Sequence, residues 1–498
     1  MNERFKKLKW NSLLALCYQA ILIVTGLLLP RCFLFFYGSE VNGLVTSITQ
    51  FLAFINICDL GISAVVSSSY YKPLAENNIR QVSRIFVYSK QFFRMIGLIL
   101  SIYILFLLFA YPTIINDTFD FWFTFSLIAA MGISQLGQYF LGISYQLLLN
   151  ADQKSYVQLF VNGSTLLCNT ITCVALMYWG ASIQTVKLTT SLIYLLRPII
   201  MWWYVKKHYS IDHTIPAESS AVPQKKNGII QHIAYVVSEN TDVIVLTVFS
   251  TLKNVSVYAV YTLATNSIKQ IITAATTGVQ ALLGNMIAKK EQQDVTSFYL
   301  IYSWAVHTIS SLLFTITGLL IVPFVIIYTS DITDADYRAP VFAVLITFAY
   351  YLSSIRNCNF VLIRAAGHYK QTQLASLIEA GLNLGISMVC VFRYGLIGVA
   401  IGTVIATLFF VIFEVIYFSK NIIFLPVKHS IRQFMVDFLI AGICVAVCIH
   451  IDIFSGTLLS WLVQAVIVSV ISCCTCLLLQ FLFYRKNMSF VASKIRFH

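Results

Sequence analysis

The stretch GLIGVAIGTVIATLFFVIFEVIYFS, residues 395–419, carries a single charge, Glu414, in twenty-five residues. A bilayer core is crossed by about 20 predominantly apolar residues in helical form, so this stretch reads as a membrane span. Working outward, similar runs occupy 11–37, 41–70, 85–112, 121–149, 155–179, 181–205, 229–250, 254–288, 296–329, 338–365, 370–394, 431–452 and 456–484. The seventh, IIQHIAYVVSENTDVIVLTVFS, is the most polar of them. Over all 498 residues, 58% are apolar and only 11% charged, against roughly 45–50% and 25% in soluble domains. That balance excludes a soluble enzyme with a tail anchor, a secreted disulfide protein and a disordered chain. The expected fold is an all-α polytopic membrane protein with 14 transmembrane helices.

The basic residues orient this layout. With the N-terminal MNERFKKLKW inside, the inside segments and adjoining span ends hold 24 Lys and Arg, while the outside loops hold three, Lys253, Arg338 and Arg393. Positive charge concentrates on the cytoplasmic side of membrane proteins, so both termini are expected to be cytoplasmic. The net charge of +13 needs no nucleic-acid partner to explain it. The chain contains no GxxxxGK[ST] loop, which removes ATP-driven transport by this chain from the expected functions. The longest outside loop, Ser330 to Ala339, is too short for a catalytic domain, and the chain reads as a non-enzyme. Cys473, Cys474 and Cys476 lie in an apolar run without His or acid and read as packing residues, not as metal ligands. Gly395, Gly398 and Gly402 have a nucleotide fingerprint's spacing only; inside a span, small residues one turn apart let helices approach closely. No cofactor is expected.

The chain also repeats. Val41-Asn-Gly-Leu-Val resembles Val255-Ser-Val-Tyr-Ala, and Ser83, Tyr88 and Ser89 match Ser297, Tyr302 and Ser303 at the same offset. Tyr178-Trp-Gly180 precedes Arg393-Tyr-Gly395 at an offset only one position longer. Two parallel copies of six spans follow, a transporter pattern: an N-lobe (1–205), a linker (206–228), a C-lobe (229–420), then two further spans and a tail (421–498).

Charges within spans mark candidate sites, because each costs about 2.5–3.5 kcal/mol at mid-bilayer on insertion scales. At ~1.5 Å per residue, Glu239 and Asp242 lie roughly 15–20 Å into span 7, Lys269 roughly 22 Å into span 8, and Arg356 roughly 15 Å from the inner end of span 10. Arg31 lies in the outer half of span 1. Arg94, Lys187 and Arg197 are nearer the interfaces and are expected to snorkel. His232, Tyr235, Glu239 and Asp242 form one helical stripe, as do Asn266, Lys269, Thr273, Thr276 and Gln280; Thr49, Asn56, Asp59 and Ser63 form a third. These stripes either line an aqueous cavity or act as structural glue, with Glu239 or Asp242 paired to Lys269 or Arg356. His307, alone in span 9, reads as a packed, hydrogen-bonded side chain.

Glu40-Val-Asn-Gly-Leu with Asp59-Leu-Gly61, Ser238-Glu-Asn-Thr-Asp242 with Val257-Tyr-Ala-Val-Tyr261, and Ala366-Gly-His-Tyr-Lys370 resemble segments of the polysaccharide-flippase branch of the multidrug/oligosaccharidyl-lipid/polysaccharide (MOP) exporter superfamily. The resemblance implies two lobes around a central cavity in the inner membrane. It also implies that undecaprenyl-pyrophosphate-linked oligosaccharide is moved to the outer leaflet for surface polysaccharide synthesis, beside other polysaccharide-assembly membrane proteins. Basic cavity residues would hold the pyrophosphate, and Arg31, Lys269 and Arg356 are the positions that could match. The acids Asp59, Glu239 and Asp242 are candidates for a coupling ion, H+ or Na+. Two alternatives stand beside this reading. A cation-coupled multidrug exporter would favour an acidic, aromatic cavity with few deep bases. A membrane polymerase or ligase of lipid-linked sugars would need a catalytic outside loop.

The linker carries four bases together with Pro216 and Pro223, which disfavour a packed helix. A protease site inserted at Ala221 should therefore be cut only from the cytoplasmic side; cleavage in sealed right-side-out vesicles would overturn the topology.

Overall fold

The computed structural model describes residues 2–59, 62–115, 118–216, 229–276, 279–289, 292–450 and 456–489. Most of the expected linker, 217–228, and the last nine residues lie outside this set. Among the described residues all regular structure is helical, and the chain divides into two units, Met1–Asn240 and Thr241–His498. The first holds α1 (Asn2–Ala53), α2 (Ile62–Ala75), α3 (Ile79–Ile114), α4 (Phe121–Gly137), α5 (Ile143–Ala151), α6 (Ser155–Tyr178) and α7 (Ile183–His208). Helix α8 (Ile229–Phe249) crosses the division. The second unit continues with α9 (Leu252–Ala275), α10 (Val279–Ala288), α11 (Gln292–Tyr328), α12 (Pro340–Ala365), α13 (Tyr369–Tyr394), α14 (Leu396–Asn421), α15 (Lys428–Cys448) and α16 (Leu458–Phe483).

Against an expectation of fourteen crossings, 11 stretches among the described residues are long and apolar enough to cross a bilayer. The first, Cys17–Asp59, contains two helical segments, because Gly38 (φ 81°, ψ 176°) interrupts α1. Helices α8 and α9 are not among the 11. The run from Ser238 to Asp242 explains the first omission: five consecutive polar residues, two of them acids, lower the apolar content of a 21-residue helix.

Two spans expected to be single helices are broken. After α1 the chain tightens into a 3₁₀ stretch, Phe54–Asp59, before α2 resumes at Ile62; α9 ends at Ala275 and α10 begins at Val279. Thr49, Asn56, Asp59 and Ser63 therefore do not share one continuous helical face, and Gln280 sits on a different helix from Lys269. A helix break frees carbonyls that membrane interior cannot hydrate. Here the Tyr103 hydroxyl donates to the Phe51 carbonyl at 2.9 Å and His232 Nε2 to the Asn56 carbonyl at 2.8 Å.

The repeat is visible in the backbone. From the start of α6 (Ser155) to that of α13 (Tyr369) the offset equals that of the sequence repeat, and from α7 (Ile183) to α14 (Leu396) it differs by one position. The α5–α6 turn has Gln153 at φ 58°, and its counterpart in the α12–α13 turn, Gly367, has φ 75°. Both turns close identically: Lys154 N donates to Leu149 O (2.8 Å) and His368 N to Ile363 O (3.1 Å). Gly180 and Gly395 also match, at φ 74° and 52°.

Helices α15 and α16 pack on α11 through Trp304, Val436, Ile440, Cys444, Cys476 and Leu479. A buried polar set fixes their register. Asp437 Oδ2 lies 2.6 Å from His307 Nδ1 and accepts the Tyr351 hydroxyl at 2.7 Å, while Trp304 Nε1 donates to Gln480 Oε1 at 2.7 Å. His307 is thus the packed, hydrogen-bonded side chain expected. The start of the linker is also anchored. The Tyr209 hydroxyl donates to Asp152 at 2.5 Å, Lys154 Nζ lies 2.8 Å from the same carboxylate, and Asp212 N donates to Ser83 Oγ at 3.0 Å. Burial and the Asp152 contact hold the Tyr209 phenol above its usual range.

Helices α13 and α14 approach closely where the glycine spacing predicts. A Cβ at Gly398 would overlap the Cys390 carbonyl, and one at Gly402 would overlap Ser387 Oγ. Overpacking a well-filled contact costs about 1–3 kcal/mol. Gly398→Ala and Gly402→Ala should each lower the melting temperature of the purified protein. Gly381→Ala should not, because its Cβ would meet nothing within 4 Å. Equal melting for all three variants would contradict this packing.

Candidate functional site

In the first unit the polar groups gather around the break after α1. Asp59 Oδ1 accepts from Ser63 N (3.3 Å) and Ser63 Oγ (2.8 Å), capping the first turn of α2. A carboxylate suits that position, where the helix dipole is positive and amide donors lack partners. The Tyr139 hydroxyl donates to Asn56 Oδ1 at 2.9 Å, and His232 reaches the Asn56 backbone. The structure therefore brings Asp59 and His232 to one broken segment. Arg31, Tyr235 and Glu239 are exposed on this unit. Lys187 and Arg197, expected to snorkel, instead make internal contacts. Lys187 Nζ stands 4.1 Å from the Phe33 ring centroid; the Arg197 guanidinium stands 3.7 Å from that of Tyr194, and its Nε donates to Thr165 Oγ1 at 2.8 Å.

In the second unit Asp242 is buried. Its carboxylate accepts from the Tyr258 hydroxyl (2.8 Å), Thr403 Oγ1 (2.7 Å) and Asn383 Nδ2 (3.2 Å). Ser387 Oγ joins the set, donating to Asn383 Oδ1 at 3.2 Å or the Val399 carbonyl at 3.3 Å. One acid thus ties α8 to α9, α13 and α14. Sequence reading missed the partners, though a signal existed: Thr372, Ser376, Glu379, Asn383 and Ser387 fall at helical spacing along α13, and all are buried. A polar stripe of that length inside an apolar span marks a face turned toward other helices.

Lys269 is half-buried, with its ammonium 5.5 Å from the Tyr350 ring centroid, and Asn266 one turn earlier is exposed. Arg356 is placed differently. Its guanidinium lies 2.9 Å from Glu379 Oε2 and 4.7 Å from the Phe410 ring centroid, with side-chain exposures of 14% for Arg356 and 3% for Glu379. The structural pairing anticipated for Arg356 thus exists, but with an acid of span 11 and not of span 7. Breaking a buried pair by removing one member costs about 3–5 kcal/mol, because the other is left uncompensated. Arg356→Ala should accordingly lower membrane abundance and melting temperature, and adding Glu379→Gln to the same chain should restore most of both. Unchanged abundance in the single variant would contradict the pairing.

No protein-family model matches the chain, and no curated protein sequence does. Solved structures match it over 80–96% of its length. The lipid II flippase MurJ in an inward closed conformation superposes with a TM-score of 0.70 at 15% identity, covering 96% of this chain and 99% of that one. An inward-facing MATE-family multidrug resistance transporter of the MOP superfamily gives 0.61 at 12% identity, covering 80% and 94%. The Vibrio cholerae MATE transporter VcmN, in a single-substitution form, gives 0.56 at 14% identity, covering 85% and 100%. The chain has the fold of the MOP-superfamily flippases and exporters.

Proposed function

We propose that this protein is a flippase that moves an undecaprenyl-pyrophosphate-linked oligosaccharide from the cytoplasmic to the outer leaflet of the inner membrane by alternating access. The observation that carries the reading is the extent of the fold match. The similarity to the lipid II flippase takes in 96% of this chain, whereas those to the two multidrug-type transporters take in 80% and 85%. The deep bases add to it. A pyrophosphate drawn into a membrane protein needs charge-assisted hydrogen bonds to offset its lost hydration. Lys269, Arg31 and Arg356 are the cations to consider for that role. Arg356 would serve only after leaving Glu379. A multidrug exporter, the second reading, has the fold in its favour but has no use for deep cations against a cationic drug.

Transport is coupled to a proton or sodium gradient in this reading, with Asp59, Glu239 and Asp242 as the first acids to test. Removing one member of a buried charge pair costs about 2–5 kcal/mol, which is roughly 30- to several-thousand-fold in affinity. In proteoliposomes of defined orientation, Lys269→Ala should therefore reach normal abundance yet lose flipping of the lipid-linked sugar, and Lys269→Arg should recover part of it. Collapsing both ion gradients should stop flipping by the intact chain. Normal flipping in Lys269→Ala would sink the binding site, and indifference to both gradients would sink the coupling alone.

A further inference from the structure

Glu414, the one charge of the stretch 395–419, is fully buried in the second unit. Neither of its carboxylate oxygens has a hydrogen-bond partner. Around it stand Arg356, Arg364 and Asn359 from α12 and Glu379 from α13; the Cys358 thiol of α12 and the Tyr299 hydroxyl of α11 face it as well. The Asn359 side chain stands next to Glu414, its buried Nδ2 falling short of full hydrogen-bonding distance, while its Oδ1 accepts from Tyr299 at 2.9 Å. The two cations have other contacts: Arg356 lies 2.9 Å from Glu379, with its buried Nε left without a hydrogen-bond partner, and Arg364 lies over the Phe360 ring at 4.1 Å from its centroid. Phe410, Val411, Val415 and Phe418, within four residues of Glu414 along α14, belong to the same buried apolar cluster as Cys358 and Phe360.

An ionised carboxylate in such a place, with no donor at full hydrogen-bonding distance of either oxygen, is expensive to bury. A neutral carboxylic acid is far cheaper to bury, and it leaves Glu379 as the carboxylate that Arg356 contacts. A metal cation would face repulsion from Arg356 and Arg364 and would find few oxygens. We propose that Glu414 is an exchangeable-proton site, protonated in the arrangement seen here, and that its deprotonation draws Arg356 away from Glu379. The proton released leaves for bulk water on the side of Arg356, whose side chain is 14% exposed. One guanidinium thus serves two carboxylates in turn, and the proton decides which. The site is distinct from the Asp242 cluster, whose carboxylate is hydrogen-bonded to three donors, and the inference does not depend on which substrate is carried.

The test is infrared spectroscopy of the full-length protein in lipid, titrated from acid to alkaline pH, reading the carbonyl stretch of protonated carboxylic acids. The intact chain should show such a band at neutral pH, and Glu414→Gln, folded to the same abundance and melting temperature, should lack it. Glu379→Gln should weaken the band too, because the freed Arg356 then stabilises an ionised Glu414. Identical spectra for the intact chain and Glu414→Gln would overturn the proposal. So would failure of Glu414→Gln to accumulate, because a neutral isostere must be tolerated where the native side chain is neutral. Neither readout involves transport, so a failure here leaves the flippase reading untouched, and the reverse also holds.

Discussion

A polar group inside hydrocarbon has no water to turn to, and each one left without a partner costs several kcal/mol. Most of the unusual features of this protein are responses to that constraint. Where α1 gives way to the 3₁₀ stretch before α2, Tyr103 and His232 take the carbonyls of Phe51 and Asn56. Where α8 carries Asp242, Tyr258, Asn383 and Thr403 converge on it from three other helices. Where α15 and α16 join the second unit, Asp437 is met by His307 and Tyr351. In each case the polar contact fixes a register that apolar packing alone would leave free to slide.

The fold class was legible because hydropathy, loop charge and repeat offset are additive signals spread over hundreds of residues. The repeat found from a few weak identities is realised in backbone geometry as particular as the shared left-handed residues at 153 and 367. The close approach of α13 and α14 was readable from Gly398 and Gly402. The helix breaks were less so, since residues 54–61 are as apolar as their neighbours and the 3₁₀ tightening depends on tertiary partners. Partner choice was the least legible. Arg356 was identified as deep, but Glu379 was not singled out as its partner, because pairing across helices depends on rotation and crossing angle as well as depth. The polar stripe of α13, from Thr372 to Ser387, was the missed clue.

The two halves also differ in an instructive way. Thr165 and Glu379 are counterparts at the repeat offset, and so, to within one position, are Arg197 and Phe410. In the first unit Arg197 donates to Thr165; in the second, Arg356 meets Glu379 and lies over Phe410. A guanidinium thus occupies related surroundings in both halves, but only the second supplies carboxylates. At these positions the repeat carries one architecture with two electrostatic characters, a guanidinium against a hydroxyl in the first half and against a carboxylate in the second.

The central claim is tested most directly with the purified chain in liposomes that contain a fluorescent polyprenyl-pyrophosphate oligosaccharide and an imposed proton or sodium gradient. The account predicts protein-dependent appearance of the labelled sugar in the opposite leaflet. Export of a hydrophobic cation by the same liposomes, with no movement of the lipid-linked sugar, would contradict it.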